Sequence, residues 1–333
     1  MAEVLNLAGI HIRYRVRVRN AGWRNRMREI EAVAGVDLAI SEGETYALVG
    51  ESGSGKTSIA MAVAGLVPIS QGRLAIAGTT VEGLSGDQAR ALRRNVVMLF
   101  QDAVGSLSPR LTVRSLIAEA LRLRGVTNKE RDGECRRLLS LVGLRTDLMQ
   151  SYPHQLSGGQ ARRVGIARAL ALEPKLILAD EPTAGLDVSV QGDVINLLVR
   201  LQRELGLAVL MISHNLNIVR LIAGRVGIMY LGRIVEQGPA ASVFSAPLHP
   251  YTSALLAANP HPDPEVEWRP PQVKGEVPSL VERPSGCEFH PRCFHASELC
   301  KTTFPSKVVG DPERHAYCHW PLGLDVPVQS VQS

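Results

Sequence analysis

The octapeptide Gly50-Glu51-Ser52-Gly53-Ser54-Gly55-Lys56-Thr57 leaves this chain little freedom in its choice of fold. It fits the pattern G-x-x-x-x-G-K-[ST] and sits between the apolar run ETYALV and the helix-forming SIAMAVAGLV. Its glycines let the backbone wrap closely around phosphates and turn its N–H groups inward. The helix that follows, beginning near Ser58, adds the positive end of its dipole. Lys56 is placed to reach the β- and γ-phosphates and Thr57 to ligate Mg²⁺. This is the signature of a nucleotide site.

The other apolar runs fit the sheet that such a loop requires. LILAD (176–180) and AVLMIS (208–213) are continuously apolar, as parallel strands buried on both faces must be. AVAGVDLAI, GRLAIAG and VVMLF read as further strands, and 103–165 carries apolar residues at helical spacing. The order predicts an open α/β core with an inserted helical subdomain. Asp180 ends the LILAD strand at the sheet edge beside the phosphate loop, where it can hold Mg²⁺ through water, and Glu181 is placed to activate a water against the γ-phosphate.

Composition narrows the setting. The longest apolar runs in the 333 residues fall far short of the ~20 needed to cross a bilayer, and the first residues show no leader pattern. A cytosolic chain, held at a membrane only by a partner, is expected. Much of the net charge of +5 lies in RYRVRVRNAGWRNRMR (13–28). The alternation of Arg13, Arg15, Arg17 and Arg19 predicts a strand or hairpin with one charged face, either solvated or set against anionic headgroups or an acidic partner. With no aromatic platform or recognition-helix pattern beside the charge, no nucleic-acid partner is expected.

A second phosphate-binding pattern lies at SYPHQLSGGQARRVGIARAL (151–170). Ser157 is a natural N-cap, and Gly158, Gly159 and Gln160 leave the first N–H groups of a helix open. One ATP is already held by the first loop. The second set of donors is therefore expected to complete the ATP site of another subunit.

LSGGQ resembles the signature sequence of the ATP-binding cassette (ABC) superfamily, and the rest of the chain resembles it in order. Gln101 looks like the Q-loop glutamine that contacts Mg²⁺ and the attacking water, Asp187 belongs to a segment like the D-loop that crosses to the opposite subunit, and His214 looks like the switch histidine at the γ-phosphate. Tyr14 looks like the aromatic residue that stacks on adenine, with Trp23 as its competitor. The fold implied is an α/β P-loop NTPase core of the ABC type with an antiparallel β edge, an inserted α-helical subdomain and a small Cys-rich extension. In residues, 1–102 and 166–258 would form the core, 103–165 the helical subdomain and 259–333 a Pro-rich connector with the extension.

VGESGSGKT, DEPTAGLDVSVQ, LHPYTSALL and the ending GCEFHPRCFHASELC…YCHWPL are similar to ATPase subunits of bacterial dipeptide and oligopeptide importers. The resemblance implies an ATP-hydrolysing subunit at the cytoplasmic face of the inner membrane. Its partners would be a second, identical or related ATPase, two permease subunits and, indirectly, an extracytoplasmic solute-binding protein. Nickel, glutathione and glycosides are alternative solutes of the same subfamily, and a soluble cassette acting on nucleic acid is the alternative of another class. Ala103, Gly185 and Asn215 depart from the usual residues, and none of them removes a catalytic group.

Four of the five cysteines fall together, as Cys287-x5-Cys293-x6-Cys300-x17-Cys318. Structural disulfides do not suit a cytosolic chain, and zinc modules favour closer pairs. A [4Fe–4S] cluster suits wider loops, with zinc or unliganded thiols as alternatives. Cys135 lies in a helical pattern and reads as a core residue.

Overall fold

Five parallel strands form the heart of the molecule, and their sequences explain why. The computed structural model describes residues 2–17, 27–100, 102, 105–259, 273–311 and 313–324. In chain order the strands are β1 (Glu3–Arg17), β2 (Met27–Ser41), β3 (Thr45–Val49), β4 (Gln71–Ile76), β5 (Thr79–Thr80), β6 (Val96–Leu99), β7 (Leu176–Asp180), β8 (Ala208–Ile212), β9 (Arg225–Tyr230), β10 (Arg233–Pro239), β11 (Lys307–Asp311) and β12 (Arg314–Tyr317). The helices are α1 (Lys56–Val63), α2 (Gly86–Arg93), α3 (Val113–Arg124), α4 (Asn128–Leu141), α5 (Gly158–Leu170), α6 (Val188–Leu205), α7 (Leu216–Ile222), α8 (Ala240–Ser245), α9 (Pro250–Ala257) and α10 (Glu298–Thr302). None of the described helices is long and apolar enough to cross a membrane.

The larger sheet has the order β11-β12-β10-β9-β3-β8-β7-β6, parallel from β6 to β9 and antiparallel beyond. Side chains alternate between its faces. Leu176, Leu178, Leu210 and Ile212 pack with α1 and the N-terminal sheet, whereas Ile177, Ala179, Val209 and Met211 pack with α3 to α6. Both faces are covered, which is why these strands read as unbroken apolar runs. The helical layer is α3, α4 and α5, and the buried Cys135 is part of its core.

The N-terminal sheet has the order β2-β1-β4-β5 and is antiparallel. The arginine alternation falls on β1, with Arg13, Arg15 and Arg17 exposed and Tyr14 and Val16 turned to the other face. Arg13 sits 3.3 Å from Glu31 and 3.6 Å from Glu29, on the paired strand β2. The charged face is an exposed, partly self-neutralised sheet surface. Arg19 and Trp23 lie outside the described residues.

The C-terminal extension does more than follow the core. Its hairpin β11–β12 continues the main sheet, with Glu236 and Gln237 of β10 paired to Ala316 and His315 of β12. Glu236 is fully buried and accepts from the backbone N–H groups of Leu248 and His249, each at 2.9 Å, and from Arg314 at 2.8 Å. Beside it, Gln237 accepts from the Tyr46 hydroxyl at 2.7 Å and meets His315 at 3.1 Å. Buried Glu288 receives Arg233 at 2.9 Å and Arg283 at 2.8 Å, which fastens the cysteine segment to β10. Phe289 fills a third core cluster with Tyr230 and Tyr251, ring centres 4.7–5.3 Å apart.

Removing Arg314 leaves the Glu236 carboxylate buried without a countercharge, a loss of about 3–5 kcal/mol in comparable sites. Arg314→Met is therefore expected to lower stability by about that much in urea unfolding. Unchanged stability would show that the hairpin does not depend on this pair.

Candidate functional site

Parallel pairing in register brings three strand ends to one level. Leu48 of β3 pairs with Ile212 of β8, which pairs with Asp180 of β7. The residues just beyond are the phosphate loop after β3, Glu181 after β7 and Ser213-His214 after β8, all at the carboxyl edge of the sheet. The N–H of Glu181 donates to Ile212 at 2.9 Å and that of Ser213 to Leu48 at 3.3 Å, which ties the three ends together.

The loop Gly50–Thr57 is held tightly from below. A Cβ on Gly50 would lie 2.1 Å from the Met229 carbonyl oxygen, and one on Gly55 2.4 Å from that of Ala32. Gly55 also takes φ 102°, which disfavours any side chain. Ser52 and Gly53 are exposed and Ser54 is buried. Lys56, only 8% exposed, arches back over the loop and donates to the carbonyls of Gly50 at 2.8 Å and Glu51 at 2.9 Å and to the Ser54 hydroxyl at 3.2 Å. Burial pulls its pKa down, and the carboxylates of Glu181, Asp180 and Glu51 pull it back up.

Thr57 donates its hydroxyl to Asp180 at 3.3 Å. Burial raises the Asp180 pKa, offset in part by the Thr57 hydrogen bond. A hydroxyl and a buried carboxylate side by side, next to a folded lysine, form an oxygen-rich corner suited to Mg²⁺. Glu181 follows in the left-handed region, φ 48°, which turns its side chain away from the strand direction. One of its oxygens lies 2.8 Å from Nδ1 of the exposed His214. Tyr14 reaches from β1 to donate to Ser58, the second residue after Lys56, at 3.2 Å. Gln101 and Ala103 lie outside the described residues.

Ser157 caps α5 in a reciprocal box, accepting from the Gln160 N–H at 3.2 Å while the Gln160 side chain accepts from Ser157 at 3.0 Å. Ser157 and Gly158 are exposed. Gly159 packs so closely that a Cβ would lie 3.0 Å from Val190. A cleft of about 700 Å³ runs from Thr57 and Asp180 past Phe100 to Gly158 and Leu186, between the sheet edge and the helical layer. Asp187 is exposed at the start of α6. Asn215, one of the departures from the usual residues, caps α7 by accepting from the N–H groups of Asn217 and Ile218.

Some residues of the site carry no motif. Arg162 is buried on α5, donates to Pro182 and, at 3.3 Å, to Ala184, and so braces the Asp187 segment against the signature helix. Arg292 clasps the side chain of Glu51 from the cysteine segment, and the Glu51 N–H donates to the Tyr251 hydroxyl at 3.0 Å. Spacing alone gives no sign of these contacts, because the partners lie far apart in the chain.

Cys287, Cys293, Cys300 and Cys318 line one narrow cavity together with His290, His295 and His319. The backbone N–H of Cys287 donates to the Cys300 carbonyl at 2.8 Å. Burial pushes the Cys287 thiol up to about 11 and that of Cys318 up to about 12, and raises Cys293, helped by repulsion among the thiolates. Among the described residues, however, no group of three or more His, Cys, Asp or Glu side chains is arranged to hold a metal ion.

Comparison with known proteins places this geometry. The sequence profile of ABC transporters matches residues 33–184, and that of the oligopeptide/dipeptide transporter C-terminal region matches 235–300. The oligopeptide transport ATP-binding protein OppF of Salmonella typhimurium is 43% identical over 317 residues, 94% of each chain. The di/tripeptide transport ATP-binding protein DppF of Pseudomonas aeruginosa is 44% identical, over 87% of this chain and 90% of its own. A dimeric ATP-binding cassette in a post-hydrolysis state, bound to ADP and Pi, superposes with a TM-score of 0.61 at 30% identity, over 71% of this chain and 98% of that one. The chain belongs to the ATP-binding proteins of ABC transporters, in the oligopeptide/dipeptide branch, and is an ATPase.

Proposed function

We propose that this chain powers a peptide importer from the cytoplasmic face of the inner membrane, paired with a second ATPase subunit beneath two permeases that receive solute from an extracytoplasmic binding protein. The observation that carries the catalytic part is the pairing of two couples at one sheet edge. Thr57 and Asp180 stand 3.3 Å apart, and Glu181 and His214 stand 2.8 Å apart. The first couple, with Gln101, would hold Mg²⁺, whose role is to neutralise charge on the β- and γ-phosphates. Gly50 and Ser52 to Ser58 would cradle the phosphates, with Lys56 released from its own loop carbonyls to meet them, and Tyr14 would stack on adenine.

In the chemical step Glu181 accepts a proton from water as the water oxygen bonds to the γ-phosphorus. The bond to the β–γ bridging oxygen breaks and ADP departs with that electron pair. His214 orients Glu181 and contacts the γ-phosphate. Ser157, Gly158, Gly159, Gln160 and Asp187 would complete the nucleotide site of the opposite subunit. The cleft that separates the signature helix from the sheet edge supports this reading, since closure against a second copy would fill it. A groove of about 350 Å³ between β6, α3 and α5, lined by Phe100 and Leu123, offers the permeases an apolar seat. Residues 1–102 with 166–258, 103–165 and 259–333 are the working parts of this machine.

Cys287, Cys293, Cys300 and Cys318 would hold a [4Fe–4S] cluster. Four thiols around one cavity, Cys300 and Cys318 buried and Cys287 and Cys293 partly so, fit its donor set, while zinc demands four sulfurs gathered about 2.3 Å from a single point. The cluster would supply a covalent staple for a segment rich in turns.

Glu181→Gln is expected to retain ATP binding, lose about 10²–10⁴-fold in turnover and accumulate as an ATP-bound dimer on size-exclusion chromatography. Wild-type turnover would remove Glu181 from this role. Ser157→Ala should slow hydrolysis by the assembled pair while leaving ATP affinity of the isolated chain unchanged. Anaerobically purified chain should be brown and contain iron; colourless protein with stoichiometric zinc would overturn the cluster.

A further inference from the structure

We propose that Arg292 is a positioning residue for nucleotide binding: from the cysteine segment it clamps Glu51, inside the phosphate loop, and cancels the charge that Glu51 would otherwise hold against the incoming phosphates. This rests on the reading of Gly50–Thr57 as the ATP loop.

The geometry is two-pronged. One guanidinium nitrogen of Arg292 donates to Glu51 Oε2 at 2.7 Å and the other to Oε1 at 2.9 Å. The guanidinium is itself fixed, since it also lies 3.5 Å from the Tyr230 hydroxyl and over the rings of Tyr230 and Phe289. Such planar, forked pairing fixes direction as well as distance. The backbone of Glu51 is held equally firmly. Its N–H donates to the Tyr251 hydroxyl, and its carbonyl accepts from Lys56 and from the Ser54 N–H. Glu51 is thus the point where the extension, α9 and the catalytic lysine meet.

Charge gives the contact its consequence. A carboxylate in a phosphate loop opposes a tetra-anionic ligand unless a cation stands beside it. Arg292 is that cation, and it is delivered by a segment far outside the nucleotide fold. The extension therefore acts as a strap on the loop: it stabilises the geometry in which the N–H groups face the phosphates, and it removes a repulsive charge.

The test is calorimetric binding of Mg-ATP to full-length chains. Arg292→Met should raise Kd about tenfold, with the smaller effect on turnover at saturating ATP. Adding Glu51→Gln to Arg292→Met should recover most of the loss, because the unpaired carboxylate is its cause. A purely structural role would give no such recovery. Wild-type Kd in Arg292→Met, or a double variant as weak as Arg292→Met alone, overturns the proposal. Should Arg292→Met fail to fold, Arg292→Gln takes its place: a raised Kd that Glu51→Gln restores supports the clamp, and a wild-type Kd or no recovery overturns it. Failure of the wild-type chain itself to bind Mg-ATP would instead overturn the nucleotide reading.

Discussion

Everything at the catalytic edge depends on parallel strands being hydrogen-bonded in register within a sheet covered on both faces. The alignment of Leu48, Ile212 and Asp180 sets the heights of the phosphate loop, Glu181 and His214 to within one residue of one another. A slip of one residue would turn every apolar side chain of a strand to the opposite face. Burial on both sides makes that slip costly at each strand at once. The same burial that stabilises the core thus positions the chemistry.

Electrostatics at that edge is one of crowding. Lys56, Asp180 and Glu181 lie close together at a partly dry boundary, and burial shifts Lys56 and Asp180 toward their neutral forms. Lys56 meets this by donating to its own loop, and Glu181 by engaging His214. The contacts of Lys56 with its own loop are ones a triphosphate would replace. The loop is therefore preorganised in backbone and exchangeable in side chains, the combination a turnover site needs.

The extension changes how the molecule is understood. Its proline- and cysteine-rich composition reads as an appendage, yet β12 pairs with β10, Phe289 enters the core and Arg292 reaches the phosphate loop. The reason it escapes a sequence reading is physical. Strands β11 and β12 are five and four residues long, too short for a period to declare itself, and the polar residues that anchor them pair across more than seventy positions. Buried pairs such as Glu236–Arg314 leave no local signature, because neither residue alone differs from a surface charge.

What the sequence determined by itself is the list of candidate site groups and the kind of scaffold that presents them. Glycine spacing around Lys56, a carboxylate pair ending an apolar run and a serine-glycine helix tip are local patterns, and local patterns survive in one dimension. It also set the contrast between strands buried on both faces and the charged face of β1. Tertiary structure alone decided which groups meet: Thr57 with Asp180, Tyr14 with Ser58, Arg162 with Ala184 and Arg292 with Glu51. Those contacts depend on the rotation and stacking of whole elements, so only the packed chain contains them.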